Sequence, residues 1–296
     1  MDRTCLIAGC GYVGRRLAER LQPDWRVLAL VRSRENVAAL QAAGIETLGV
    51  DLDAGQPAQE LQALAGGAAV AYLVPPPETG TTDPRLERFL TGLGDAQPAV
   101  LVYMSTTGVY GDAAGGCVSE ESPAAPTNDR SRRRVAAEQL ARSWCDARGV
   151  RWVVLRVPGI YGPGRLPLER LSRDEPALRP EDSGPGNRIH VDDLVAACVA
   201  VIERPASGIF NAGDGDHSST TVFLQKTAEL AGLPPPQLVS LAEARGSISP
   251  GMLAYLVESR RVDTRRLREE LAVTPRYPTA ESGIAASLAE MRTQRR

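Results

Sequence analysis

Lysine is almost missing from this chain. Lys226 is the one lysine among 34 basic residues in 296, and every other basic residue is an arginine. A mechanism that needs an amine must therefore use Lys226 or do without. Histidine is nearly as scarce, at two residues, and the five cysteines (Cys5, Cys10, Cys117, Cys145, Cys198) contain no C-x-x-C pair. That set argues against a zinc site, so no metal is expected, and the unpaired cysteine count fits a reducing compartment. No apolar run approaches the ~20 residues of a membrane span, and the opening "MDRTCLIAGCG" lacks a signal-peptide hydrophobic region. The expectation is a cytoplasmic protein with no membrane partner. A net charge of −2 supplies no excess positive field, so no nucleic-acid partner is expected either.

What is present reads as an ordinary globular chain, 43% hydrophobic and 24% charged. Its length suits one large α/β domain with an accessory lobe, or two small domains. "TCLIA" (4–8), "RVLALV" (26–31), "ETLGV" (46–50), "AAVAYLV" (68–74), "AVLVYMS" (99–105) and "RWVVLRV" (151–157) are short apolar runs that read as strands. Helical patterns separate them, beginning with Val13, Leu17 and Leu21 on one face. Segments 35–43, 57–65 and 84–93 and the arginine-led stretch after 128 complete the alternation. Such alternation predicts an α/β, Rossmann-type, doubly wound parallel sheet. Residues 162–188 show no sustained periodicity and are expected to loop. A strongly apolar helix (191–203), a strand "GIFNA" (208–212) and helices near 221–231 and 263–271 follow. The expected plan is a Rossmann domain of 1–156 plus 189–212, with a small discontinuous C-terminal substrate lobe of 157–188 plus 213–296.

"GCGYVG" (9–14) follows the first strand and opens the first helix. Gly9 permits the tight turn, Gly11 lets the backbone approach a pyrophosphate, and Gly14 lets helix pack on strand. Tyr12 and Val13 sit between them at the helix start, whose positive end attracts phosphate. The second strand ends "LVRSR", with Arg32 and Arg34 and no acid before Glu35. Arg at that place suits the 2′-phosphate of NADP, with NAD as the alternative and solvated loop arginines as the bland reading. Asp51 and Leu52 of "VDLD" are placed to line an adenine pocket, and Pro75 lies in the "VPPP" after the fourth strand.

Taken in order, "GCGYVG", "DLD", "YMSTTGVYGD", "VAAEQL", "LRVPGIYGPGR", "NRIHVDDLVAA", "GIFNAGDG" and "SRRVDTRRLREEL" resemble the extended short-chain dehydrogenase/reductases, the NAD-dependent epimerase/dehydratase family. The match runs from about residue 4 to 287. The GxGxxG spelling and "VPPP" resemble an atypical subgroup of that family. The resemblance implies that Thr106, flanked by Ser105 and Thr107, polarises a substrate oxygen, with Ser105 as a substrate contact. It implies that Val157, Pro158 and Ile160 pass the nicotinamide. It also implies that 165–188 grips the substrate, Arg165 and Arg188 being candidates for an anionic group such as a nucleotide diphosphate. The implied partner is a small polar molecule, of which a nucleotide sugar is one candidate, and a homodimer is the candidate assembly.

The family's proton chemistry uses Y-x-x-x-K on the next helix. Anchored on "VAAE" (135–138), the Lys position is Arg134 and the Tyr position is Arg130. Both would sit at the catalytic centre, yet an arginine with a pKa above ~12 cannot act as the acid or base. Arg134 could keep the other task of the lysine, hydrogen-bonding the cofactor ribose. Arg132 and Arg133 read as solvated. Tyr110, Tyr161 and His190 lie near enough to be considered as donors, though each reads more readily as structural. A Ser105–His190–Asp193 arrangement lacks nucleophile-elbow spacing. Two functions stay open: an NAD(P)-dependent oxidoreductase or epimerase-like enzyme, and a non-catalytic NADP(H)-binding sensor or regulatory protein.

Overall fold

The seven apolar runs become one parallel sheet in the computed structural model, which describes residues 3–55, 59–247 and 258–294. Its strands are β1 (Thr4–Ala8), β2 (Arg26–Val31), β3 (Glu46–Gly49), β4 (Ala69–Tyr72), β5 (Val100–Thr106), β6 (Trp152–Val157) and β7 (Gly208–Asn211), in the order β7-β6-β5-β4-β1-β2-β3. Helices α1 (Tyr12–Leu21), α2 (Arg34–Ala42), α3 (Gln59–Ala65), α4 (Pro84–Leu93), α5 (Asp129–Asp146) and α6 (Val191–Glu203) flank it. A sheet covered on both faces needs strands apolar throughout, which is why these runs do not alternate. One core gathers Leu17 and Leu21 of α1 with Leu194 and Cys198 of α6 against Ile7, Val102 and Leu155. The opposite core holds Phe89, Leu93, Ala137 and Ala141 against Leu6, Val70 and Tyr103. The winding reverses between β4 and β1, and the crevice outside the strand ends at such a switch is where ligands bind in open α/β sheets.

A polar row crosses the sheet beneath α5. Ser105 of β5 is the register partner of Arg156 of β6, which in turn faces Asn211 of β7. Glu138 of α5 collects this row: Ser105 Oγ donates to its Oε1, and Arg156 donates to both oxygens at 3.1 and 2.7 Å. The Arg156 guanidinium lies 4.7 Å over the Tyr110 ring, and the Tyr110 hydroxyl donates to Asn211 Oδ1 at 2.7 Å. All of these groups are buried.

The remaining chain departs from expectation in two places. Segment 162–188 contains a short helix (Leu168–Ser172) and strands too brief to carry a period, including Arg188–His190 beside Gly159–Tyr161. The helix Arg265–Leu271 was expected in the cap, yet Leu267 and Leu271 pack into the core with Val201 and Phe210. A smaller cluster joins Tyr161, Leu166 and Phe223 to Ile284 and Leu288 of the helix Ala280–Thr293. Asp193 at the start of α6 accepts from the Arg276 and Tyr277 amides at 2.7 and 3.1 Å, and so pins the approach to that helix. Other boundaries agree with the sequence reading to within about two residues. Residues 57 and 58 of the third predicted helix lie outside the described residues. Among the described residues no helix is long and apolar enough to cross a membrane.

Removing one partner of a buried, hydrogen-bonded pair leaves the other charge stranded. Glu138→Ala is therefore expected to cost about 3–5 kcal/mol in denaturant unfolding. Arg142→Ala breaks the exposed pair with Asp146 and should cost less than about 1 kcal/mol.

Candidate functional site

A cleft of about 510 Å³ lies across the carboxyl ends of β1 to β5. The three glycines at its floor serve different needs. Gly9 has φ +89°, and a Cβ there would lie 2.8 Å from the Val74 amide nitrogen. A Cβ on Gly14 would lie 2.6 Å from the Gly9 carbonyl oxygen, so the helix can approach the strand only without it. A Cβ on Gly11 would meet nothing within 4 Å, leaving its backbone bordering open space in the cleft. Helix α1 starts here with no side-chain cap and no acid in its first turn. Bare amides at a positive helix end, fronted by open space, fit the pyrophosphate of a dinucleotide.

Tyr12, Val13, Arg32, Asp51, Leu52, Pro75 and Arg134 all line this cleft. Tyr12 donates to the Pro163 carbonyl at 3.0 Å, and the Arg16 and Arg165 guanidiniums lie 4.3 and 4.1 Å from its ring centre. Arg34 is exposed and does not line it. Arg32 is not a free cation, because it donates to Asp53 at 2.8 Å. Pro158 borders a small hollow beside Asp214 instead, and of the three residues expected to pass the nicotinamide only Ile160 reaches the cleft. Pro158 lies beyond the end of β6, and Val157 is its last residue, buried.

On the opposite wall Arg134 donates from Nη1 to the Met104 carbonyl at 2.9 Å and to the Tyr103 hydroxyl at 3.2 Å. Arg130, one turn earlier, is exposed and does not line the cleft. Arg133 is a correction: it is buried rather than solvated, donating to the Gly80 carbonyl, whereas Arg132 is exposed and pairs with Asp129 at 2.7 Å. Ser105 is a second correction. Strand residues alternate faces, so with Met104 on the cleft Ser105 turns beneath α5 to Glu138. Thr106 is half-buried, and its hydroxyl accepts from the Gly108 amide at 3.2 Å. Lys226 does not line the cleft and is paired with Glu229 at 2.9 Å on the helix Thr220–Ala231.

Of the alternative donors, Tyr110 and His190 are hydrogen-bonded elsewhere, whereas the Tyr161 hydroxyl is buried without a hydrogen-bond partner. His190 accepts from the Asp192 amide as the cap of α6 and lies 3.1 Å from Ser287 Oγ. Tyr161 stacks edge-on to His190 and Phe223, and burial pushes its hydroxyl far above the usual range. With Ser105 on Glu138 and Asp193 on the chain at 276–277, no Ser–His–Asp arrangement assembles.

A second hollow of about 200 Å³ adjoins the cleft, sharing Ile160 and Arg165 with it. Arg165, Arg170 and Arg188 line it, and no carboxylate does. Arg188 is buried, lies 4.7 Å from the Phe223 ring centre and donates to Ser218 Oγ at 2.8 Å. Arg170 donates to the Pro176 carbonyl at 2.7 Å. So the structure brings the two sequence candidates, Arg165 and Arg188, together and adds Arg170, which no motif had marked. Beyond Arg188, Asp214 is buried with one oxygen unpartnered, and desolvation pushes its carboxyl up to about 7.

Two outcomes follow from these placements. Gly14→Ala should destabilise the fold by about 1–3 kcal/mol, while Gly11→Ala keeps the thermal midpoint and weakens dinucleotide binding in a titration. Asp214 holds its proton in the folded state up to about pH 7, where the unfolded chain has already released it. Its contribution to stability therefore falls as pH rises from about 4 to about 7 and stays low above that range. Asp214→Asn should be more stable than the parent at pH 8 and gain little at pH 4, read by denaturant unfolding at both values.

A model of the "NAD dependent epimerase/dehydratase family" matches residues 5–213. The chain is 26% identical to dTDP-6-deoxy-L-talose 4-dehydrogenase (NAD(P)(+)) of Kitasatospora kifunensis, over 95% of this chain and 93% of that one. It spans about half the length of other curated relatives, 51% of one and 45% of another. A conserved protein of unknown function from Silicibacter pomeroyi superposes with a TM-score of 0.84 at 31% identity, covering 98% of this chain and 99% of that one. UDP-glucuronic acid 4-epimerase from Bacillus cereus in complex with NAD superposes with a TM-score of 0.78 at 16% identity, over 99% of this chain and 100% of the other, a likeness of fold. With the family model spanning both the glycine turn and the sheet that carries the cleft, the chain belongs to the NAD-dependent epimerase/dehydratase family.

Proposed function

We propose that this protein is an NAD(P)-dependent oxidoreductase or epimerase-like enzyme acting on a small anionic substrate, with a nucleotide sugar as the favoured class. The observation that carries the reading is the hollow lined by Arg165, Arg170 and Arg188, which adjoins the cleft at Ile160. Three guanidiniums, of which Arg170 also pairs with Glu175 at 3.7 Å, suit a phosphate-bearing group, since the planar fork bonds two oxygens at once. The dehydrogenase and epimerase names of the relatives point to the same substrate class. NADP is the favoured cofactor because Arg32 ends β2 where an acid would suit NAD.

A bound NAD(P) would supply the acceptance and return of hydride. The chain's own residues do the rest. The α1 amides bind the pyrophosphate, and Arg134 is held by Tyr103 and Met104 with its guanidinium on the cleft, where it can bond a ribose or substrate oxygen. Thr106 offers a hydroxyl at the end of β5 to polarise a substrate oxygen. Met104 and Ile160 keep the space between apolar and exclude water. A guanidinium binds oxygens rather than passing protons, which leaves the Thr106 hydroxyl, the substrate and solvent as the proton's route in this reading.

Titration with NADPH, followed by turnover on a panel of nucleoside diphosphate sugars, tests the reading. Arg188→Gln should raise KM about tenfold or more with kcat little changed, as expected for loss of uniform binding. Thr106→Ala should lower kcat by about 10-fold to 100-fold. Unchanged kinetics in both variants would remove the assigned roles. Arginine at both dyad positions, with Arg130 outside the cleft, favours a second reading, a non-catalytic NADP(H)-binding sensor. Tight NADPH binding without turnover of any panel member would select it.

A further inference from the structure

We infer that Asp53 sets the balance between NAD and NADP, acting as a resident carboxylate that occupies the guanidiniums a 2′-phosphate would need. The inference rests on the dinucleotide reading of the cleft. Asp53 stands two residues after Asp51, in the turn that follows β3, and lines the cleft with Arg32 and Arg85. Arg85 grips it with two bonds, Nε to Oδ1 and Nη2 to Oδ2, both at 2.7 Å. Arg32 adds a third, from Nη1 to Oδ2 at 2.8 Å. These contacts hold the carboxyl below the usual carboxylate range, so it stays charged at neutral pH.

The two arginines differ in how firmly they are placed. Arg85 follows Pro84 at the start of α4 and also donates to the Pro75 carbonyl at 3.0 Å, with its side chain 21% exposed. Arg32 is 64% exposed and Asp53 is its one hydrogen-bond partner among the described residues. Arg85 is thus a fixed clamp and Arg32 a detachable arm. Together with Asp51 and Asp53 they put two positive and two negative charges around the end of the cleft where β2 and β3 finish. The ribose of a dinucleotide's adenosine is read at the end of the second strand, and here Arg32, Ser33 and Asn36 line that place.

A 2′-phosphate brings roughly two negative charges to this balance. It must share Arg32 with Asp53, which already takes the Nη1 donor and neutralises part of the charge, and it faces the Asp53 carboxylate as a like charge. An unphosphorylated ribose meets neither cost. Asp53 therefore narrows the NADP preference that Arg32 alone would confer, and the parent protein accepts both cofactors within a modest ratio.

Equilibrium titration of the full chain with NADPH and with NADH, followed by nucleotide fluorescence, decides the matter without a substrate. Asp53→Asn keeps the side-chain shape and removes the charge. NADPH affinity should then rise about tenfold or more while NADH affinity changes by less than about threefold. Arg85→Gln leaves Asp53 to Arg32 and removes one cation, so NADPH affinity should fall with NADH again little changed. The NADPH gain in Asp53→Asn should shrink as salt rises from 50 to 500 mM, as screening requires. A ratio of affinities that Asp53→Asn leaves unmoved, or a loss of both nucleotides together, would overturn the role of Asp53 and reduce it to a structural clamp. Failure of the parent to bind either nucleotide would overturn the dinucleotide reading itself, and this inference with it.

Discussion

The buried bond between Glu138 and Arg156 fixes the geometry on which the site depends. It joins the middle of α5 to β6, and through Ser105 to β5, tying the helix to two neighbouring strands at one buried point. Residues four apart share a helix face. Arg134 therefore points where Glu138 points, one turn nearer the strand ends, and its guanidinium lands on the Met104 carbonyl and the Tyr103 hydroxyl at the cleft wall. The row Ser105–Arg156–Asn211 carries the same restraint to β7, and Tyr110 closes it from the loop above. A charge pair this buried gains little net stability, but breaking it is costly. What it supplies is position.

Arginine carries nearly all the positive charge here, and its chemistry colours the whole molecule. Flat guanidiniums lie on Tyr12, Tyr110, Phe210 and Phe223, as an ammonium does less well. They also fork onto carboxylates, at Glu138 in the interior and at Asp53 on the cleft edge. A site built from such groups is well made for holding anions at any ordinary pH. It is poorly made for passing protons, because none of these cations titrates near neutrality. In the proposed reading, binding and proton transfer come apart, the first resting on guanidiniums and the second on hydroxyls and solvent.

Much of the fold was legible because a parallel sheet writes itself into the sequence. Strands covered on both faces must be apolar throughout, and "TCLIA", "RVLALV" and "AVLVYMS" are so. The glycine turn was legible for a different reason: "GCGYVG" stands at a fixed short spacing between a strand and a helix, even though the steric demand on Gly9 comes from distant Val74 and Gly11 meets none. Segment 162–188 was not legible, since two- and three-residue strands and a five-residue helix are too short to show a period. The assignment of Ser105 to the substrate failed because the face a strand residue takes is settled by the sheet's partners. Arg133 was misjudged as solvated because a run of arginines on a helix shows no mark of which one is covered by a distant loop, here at Gly80.

Asp53, Arg85 and Arg170 mark the limit of sequence reading. Each is an ordinary charged residue in its own stretch, and each matters through partners far away in the chain: Asp53 with residues 32 and 85, Arg170 with residues 165 and 188. The sequence by itself determined the alternating architecture, the glycine turn and the arginines at 130 and 134 of α5, because these depend on residue type and short-range spacing. The tertiary structure alone decided which arginines line the cleft and the hollow and which of them a carboxylate holds, as Asp53 holds Arg32 and Arg85 and Glu175 pairs with Arg170. That distinction is electrostatic and depends on distances between segments, which one-dimensional spacing does not contain.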